Sequence, residues 1–185
     1  MRTGNGEVVA ADAVICAAGI GTPALLAEAG FELPFTTPEG LLVHSEPLRP
    51  FLSRLIIAPG MHVRQTREGR LVAGFDFAGT VVEEPKVAAS RIFDLINLSL
   101  DVPGPLRLDF TTLGLRPTPG DGFPAVGWVP GVRGLYLASM HSGMTLAPGI
   151  SLFAADEILE GTLEPLLAPY RPERFVSGRD ATSTR

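Results

Sequence analysis

"LYLASMHSGMTLAPGISLFAADEILEG", Leu135 to Gly161, decides how this chain is read. "LYLASM" has the apolar content of a strand. "GISLFAADEILEG" is expected to be a strong amphipathic helix, starting near Pro148 and closed by Gly161. Between them His141, Ser142, Gly143, Met144 and Thr145 form a glycine turn. A turn that opens a helix offers free backbone N–H groups and a positive dipole end to an electron-rich ligand. His141 is open to two readings here, a locally satisfied loop histidine or a ligand neighbour. A hydrolase using His141 as base and Ser142 as nucleophile is disfavoured, because adjacent side chains rarely face each other and no GxSxG elbow is present.

A second strand–turn–helix lies upstream in "ADAVICAAGIGTPALLAEAG", Ala11 to Gly30. A buried strand is expected over Ala13 to Ala18. A helix follows, with Thr22 as N-cap, Pro23 at the first helical position and Gly30 at its end. Gly19, Gly21 and Ala24 match GxGxxA, the pattern that lets backbone approach a pyrophosphate at a helix N-terminus. That fingerprint also wants a strand ending in an acid about twenty residues on. The place holds the proline-rich "FELPFTTPEG" instead. Three readings stay open: a primary dinucleotide site, a secondary close approach to a ligand, and a tight turn with no ligand.

Between the two glycine turns the chain reads as sheet. "GLLVHSEPL", "RLIIAPGMHVRQ" and "GRLVAGFDF" suit a mixed or antiparallel sheet, and "EVV" near the N-terminus suits a short strand. "EPKVAASRIFDLINLSL" carries Val87, Ile92, Leu95, Ile96 and Leu98 at helical spacing. "LRLDFTTLGLR" alternates, placing Leu106, Leu108 and Phe110 on one strand face. "AVGWV" is a further strand. The class is α+β or α/β, with four segments: 1–35, a sheet-rich 36–132, 133–175, and a disordered tail over 176–185.

Within "GLRPTPGDGFPAVGW", Arg116 stands at the end of an apolar strand, before a proline-stiffened turn. Arginine's planar fork suits bidentate capture of a carboxylate. Pairing with a structural carboxylate such as Asp121 is the competing reading.

Composition narrows the function classes. The chain has 185 residues, 45% of them hydrophobic, and a formal net charge of -5. That balance supports a sizeable core and argues against a nucleic-acid surface. No apolar run approaches the ~20 residues of a membrane helix, and "MRTGNGE" is no signal peptide. The single cysteine, Cys16, excludes an intrachain disulfide and suits a reducing, cytoplasmic setting. No metal-ligand pattern is present.

Taken in order, "ADAVICAAGIGTPAL", "GLLVHSEPL", "EEPKVAASRIFDLI", "GLRPTPGDGFPAVG", "HSGMTLAPG" and "YRPERF" resemble the C-terminal half of FAD-dependent oxidoreductases of the D-amino acid oxidase type, near the glycine oxidase and D-amino acid dehydrogenase group. The resemblance implies a sheet-rich substrate domain joined to the C-terminal part of an FAD-binding nucleotide domain, truncated at its N-terminus. It implies non-covalent FAD near Gly19 and Gly21, with Gly143, Met144, Thr145 and Leu146 presenting backbone to the flavin. Arg116 would bind a substrate carboxylate, and His141 and His44 would line the pocket. The reaction implied is hydride transfer from an amine-bearing carbon to the flavin, with no catalytic side chain required. The family's main GxGxxG region has no counterpart in this sequence. The strand over Ala13 to Ala18 would then lack sheet neighbours, and a partner chain carrying that region is the alternative way to a complete site.

Overall fold

Val14–Cys16 form the first strand, β1, in a computed structural model that describes residues 1–75 and 84–176. β1 is shorter than the strand expected over Ala13–Ala18, and only Cys16 of its three residues is buried. It does have a neighbour. β1 pairs in parallel with β10 (Leu135–Ser139), with Val14 opposite Leu135 and Cys16 opposite Leu137. β10 in turn pairs antiparallel with β9 (Ala125–Trp128). Strands of parallel sheets are normally covered on both faces. β1 is an edge strand of this sheet, and Ile15 is 54% exposed. The expected strand at "EVV" is only an isolated bridge, Arg2 to Val8.

The chain divides into two units, one of residues 1–37 and 116–185 and the other of residues 38–115. The return to the first unit comes at Arg116, earlier than the residue 133 expected from sequence. The physical reason is that β9 belongs to the sheet of β1 and β10.

In the first unit, α1 spans Thr22–Glu28 and follows a 3₁₀ turn over Gly19–Gly21. Its N-cap is Gly21, so Thr22 is the first helical residue and not the cap. Gly30 ends the helix at φ +85°, and Phe31 N–H closes back onto Leu26 O at 2.9 Å. α3 spans Gly143–Leu159. It begins five residues before Pro148, so the predicted loop is the helix's own opening turns. Proline lacks the N–H that would bond to Met144 O, yet the helix runs through it. α3 is not the amphipathic helix expected, because apolar residues occupy all its sides and only Ala154 and Glu157 are buried. A helix apolar all round normally lies inside a larger structure. Two 3₁₀ turns, Pro165–Tyr170 and Pro172–Phe175, end the described chain. Of the tail expected to be disordered, residues 177–185 lie outside the described residues.

The second unit is an antiparallel sheet of five strands under one helix. Its order is β4 (Ile56–Ala58), β5 (Met61–Gln65), β6 (Leu71–Gly74), β3 (Glu39–Ser45), β7 (Leu108–Leu115). The end of the "GRLVAGFDF" run, from residue 76, lies outside the described residues. α2 (Pro85–Ser99) is capped by Glu84, whose carboxylate accepts from Lys86 N–H at 3.1 Å and Val87 N–H at 3.2 Å. Its buried face is Ala88, Ala89, Ile92, Phe93 and Ile96, packed on Val43, Val63, Leu71 and Ala73. That face is rotated from the expected one, leaving Val87 and Leu98 exposed.

β7 departs from simple alternation. His44 pairs with Phe110, but Ser45 pairs with Leu108, so Asp109 is an extra residue in a bulge. The bulge puts Leu108 against the core while Phe110 stacks on the His44 ring at 4.2 Å between centroids. Leu106 precedes the strand. The three residues expected on one face are therefore divided by one inserted residue.

β2 (Phe35–Thr36) and β8 (Thr118–Pro119) form a two-stranded ribbon within the first unit. In β9, Gly127 sits at φ +140°, and a Cβ there would lie 3.0 Å from Arg171 Nη1 and 3.2 Å from Pro172 Cδ. Gly127→Ala is expected to cost about 1–3 kcal/mol from strain and displacement of the Arg171 segment. The shift of a chemical-denaturation midpoint at unchanged slope measures it.

Candidate functional site

The parallel pairing of β1 with β10 brings the two glycine turns to the same end of one sheet. In sequence they are far apart, Gly19–Gly21 and Gly143–Leu146. The carboxyl ends of adjacent parallel strands are where open α/β sheets hold ligands. Gly19 needs its freedom, at φ +58°, and a Cβ on it would meet nothing within 4 Å. Gly143 likewise meets only Met140 Cγ, at 3.9 Å. Both turns thus face open space. Met144 is 97% exposed, in the first turn of α3.

Two buried hydroxyls mark the same end of the sheet. Thr22 Oγ1 follows the first glycine turn, and Ser139 Oγ ends β10 before the second. Both are buried and have no hydrogen-bond partner. Unsatisfied buried hydroxyls cost roughly 1–3 kcal/mol each and call for a partner. The glycine turns, the exposed helix start and these hydroxyls together suit a polar, electron-rich group such as a flavin nucleotide.

His141 is half-buried, and its Nδ1 lies 3.2 Å from Ser142 Oγ. The two adjacent side chains do face each other, contrary to expectation. Ser142 nevertheless sits at the N-cap of α3, not on a strand-to-helix elbow. Among the described residues no carboxylate orients the His141 ring, so a hydrolytic triad is not assembled.

Arg116 opens the second part of the first unit and is half-buried. Thr118 Oγ1 donates to Arg116 O at 3.3 Å, and Thr118 is paired with Thr36 across the small ribbon. The following turn is pinned, with Gly120 N–H bonded to Pro34 O at 2.7 Å. Asp121 is a turn-former: its Oδ1 accepts from Phe123 N–H at 3.1 Å, and Gly122 follows at φ +82°. Asp121's charge partner is Arg174, whose Nε donates to Oδ2 at 2.6 Å and Nη2 to Oδ1 at 3.1 Å. The Arg174 hydrogen bond holds the Asp121 carboxyl below its usual range.

His44 lies in the other unit. Its Nε2 is 3.0 Å from Thr112 Oγ1. Burial, helped by the Arg64 and Arg70 guanidiniums, lowers its pKa below the usual histidine value. The ring is neutral at pH 7. Only the residues of the glycine turns are thus brought together by the sheet itself.

A cluster absent from the sequence reading ties the first unit together. Glu157, on α3, is 1% exposed. Its Oε2 accepts from Tyr136 OH and from Arg171 Nη1, both at 2.7 Å. Its Oε1 accepts from Glu164 N–H at 2.8 Å and from Arg171 Nη2. Burial alone would raise the Glu157 pKa, but the Arg171, Glu164 and Tyr136 hydrogen bonds outweigh it and hold the group ionised. Burial and the neighbouring carboxylate push the Tyr136 hydroxyl well up. The sequence carries no local signal for this cluster, since Tyr136, Glu157 and Arg171 meet across 14 and 21 positions.

Among the described residues no helix is long and apolar enough to cross a membrane, and no His/Cys/Asp/Glu group could hold a metal ion. Residues 2–157 match the model of the family described as FAD dependent oxidoreductase. The glycine oxidase of Pseudomonas aeruginosa is 32% identical over 183 residues, covering 93% of this chain and 48% of that protein. The chain thus spans about half the length of that relative. Among solved structures, iminodiacetate oxidase from Chelativorans sp. BNC1 superposes with a TM-score of 0.72 at 22% identity, over 92% of this chain and 48% of the other. Glycine oxidase from Geobacillus kaustophilus gives 0.65 at 26% identity, over 88% and 45%.

Proposed function

Because the chain belongs to the FAD dependent oxidoreductase family, we propose that it supplies the substrate clamp and the flavin-facing helix of an enzyme that oxidises an amino acid or related amine. The observation that carries this reading is the sheet end where Gly19–Gly21 and Gly143–Leu146 converge, with Thr22 and Ser139 hydroxyls lacking partners.

In this reading Gly19 and Gly21 let backbone pass close to non-covalent FAD. The first-turn amides of Gly143, Met144, Thr145 and Leu146 face the flavin, where the dipole of α3 favours negative charge. Bound FAD supplies the two-electron oxidation, taking a hydride at N5 from the amine-bearing carbon. Arg116 holds the substrate carboxylate and so orients that carbon. His141 serves as pocket wall, and His44, in the other unit, is a neutral imidazole. A reducing cytoplasmic setting suits the buried thiol of Cys16.

A second reading has its own observation. The edge of β1 and the apolar sides of α3 are exposed, and both are what a nucleotide-binding half carrying GxGxxG would cover. In that case the chain is a subunit or remnant that completes its site only with a partner chain. Flavin retention tests both readings: FAD should stay with the chain through gel filtration only when that half is supplied.

A further inference from the structure

Glu157 and Asp121 are both held by one strap, the segment Glu164–Phe175. Arg171 fastens the strap to α3 through Glu157, which is fully hydrogen-bonded and buried. Arg174, three residues on, fastens it to the turn after Arg116. Besides gripping both Asp121 oxygens, Arg174 Nη2 donates to Pro124 O at 2.9 Å and Phe123 O at 3.3 Å, and Nη1 donates to Arg171 O at 3.1 Å. The Phe123 ring packs at 6.4 Å from that of Tyr170 in the same strap. The turn's other end is set by Thr118 against Arg116 O and by Gly120 against Pro34 O. Between Arg116 and Pro124 the backbone pairing is the two-residue β8 and the Gly120 N–H bond to Pro34 O. Toward the strap, the turn is held by the side chains of Arg174, Asp121, Phe123 and Tyr170.

We propose that Arg174 is a positioning residue: through Asp121 it holds the Arg116 turn in register with α3. The inference rests on the reading of Arg116 as a carboxylate clamp. A guanidinium fork with two acceptors at Asp121 and two backbone carbonyls beyond it fixes orientation as well as distance. An exposed ion pair alone contributes little to stability, so the consequence is expected in ligand geometry.

The test uses the flavin-loaded complex of the chain with a GxGxxG-bearing nucleotide half of the same family, titrated with benzoate and with its uncharged analogue benzamide, and followed by flavin absorbance. Arg174→Gln and Asp121→Asn are each expected to weaken benzoate binding by roughly tenfold while moving benzamide by less than about twofold. The charge-exchanged double variant D121R/R174D should recover part of the loss. Arg174→Lys keeps the charge without the fork, should show an intermediate loss, and serves where Arg174→Gln does not fold. Equal weakening of both probes means general loosening and overturns the proposal. Unchanged benzoate binding in the Arg174 and Asp121 variants, with binding lost in Arg116→Gln, also overturns it and leaves the clamp standing. Unchanged binding in Arg116→Gln overturns the clamp itself and the positioning role with it.

Discussion

Arg116→Gln is expected to lower kcat/KM for a carboxylate-bearing amine by about 30- to 1,000-fold, corresponding to a loss of roughly 2–4 kcal/mol for one partner of a desolvated charge pair. The loss should fall mainly on KM. Glutamine is close to arginine in reach but offers neither the charge nor the fork. The same variant assayed with the amine lacking the carboxylate should change little, because that substrate has nothing for the clamp to hold. Steady-state kinetics on the two substrates separate a clamp from a structural arginine: a structural role lowers both alike. Asp121, the carboxylate named for a structural pair with Arg116, is engaged by Arg174.

Arg171→Ala should be the most destabilising single change in the first unit, by about 3–5 kcal/mol, because it leaves the buried Glu157 carboxylate without its cation. The sign of its pH dependence follows from the two states. In the native protein Glu157 has a pKa held below its ordinary 4.5, so its contribution is present above that value and is lost as pH falls through the folded value. Without Arg171 the burial that opposes ionisation loses its main counterweight, and the carboxyl gains a proton more readily. The stability gap between the two proteins should be widest near neutral pH and narrow below about 4.5. Urea denaturation across pH 3.5–7 measures this, and a gap independent of pH would contradict the charge argument. Asp121, also held low by Arg174, adds a smaller term of the same sign, reduced by its exposure.

Which features were legible in the sequence follows the range of the interaction behind each. The strands of the second unit were legible because hairpin runs such as Ile56–Gln65 combine apolar residues with local turn chemistry. The two strand–turn–helix units were legible for the same reason. The Asp109 bulge was not, because Leu-x-Leu-x-Phe alternates perfectly and only the pairing with β3 inserts the extra residue. The α2 face was misplaced because Ala88 and Ala89 are small, yet they form the close contact with the sheet. The start of α3 was missed because Pro148 reads as a first helical residue, whereas it stands inside the helix. Among site residues, the glycine turns and Arg116 carry local signals. Glu157, Arg171 and Arg174 do not: Arg174 meets Asp121 across 53 positions of sequence, and no local pattern records that pairing.

The exposed apolar surface of the first unit follows from the same topology. Ile15 on β1 and Met144, Leu152 and Leu159 on α3 are exposed, apolar surface of the kind that further layers cover. The family relatives span about twice the length matched here. The measurement that bears most directly on the account is flavin retention, read as the visible absorbance that stays with the protein through gel filtration. The chain by itself should elute colourless or nearly so. The chain combined with a GxGxxG-bearing nucleotide half of the same family should elute yellow, with stoichiometric FAD. Tight flavin binding by the chain alone would contradict the view that it holds only part of the cofactor's cradle. A colourless complex with the nucleotide half in place would contradict the assignment of Gly19–Gly21 and Gly143–Leu146 to the flavin.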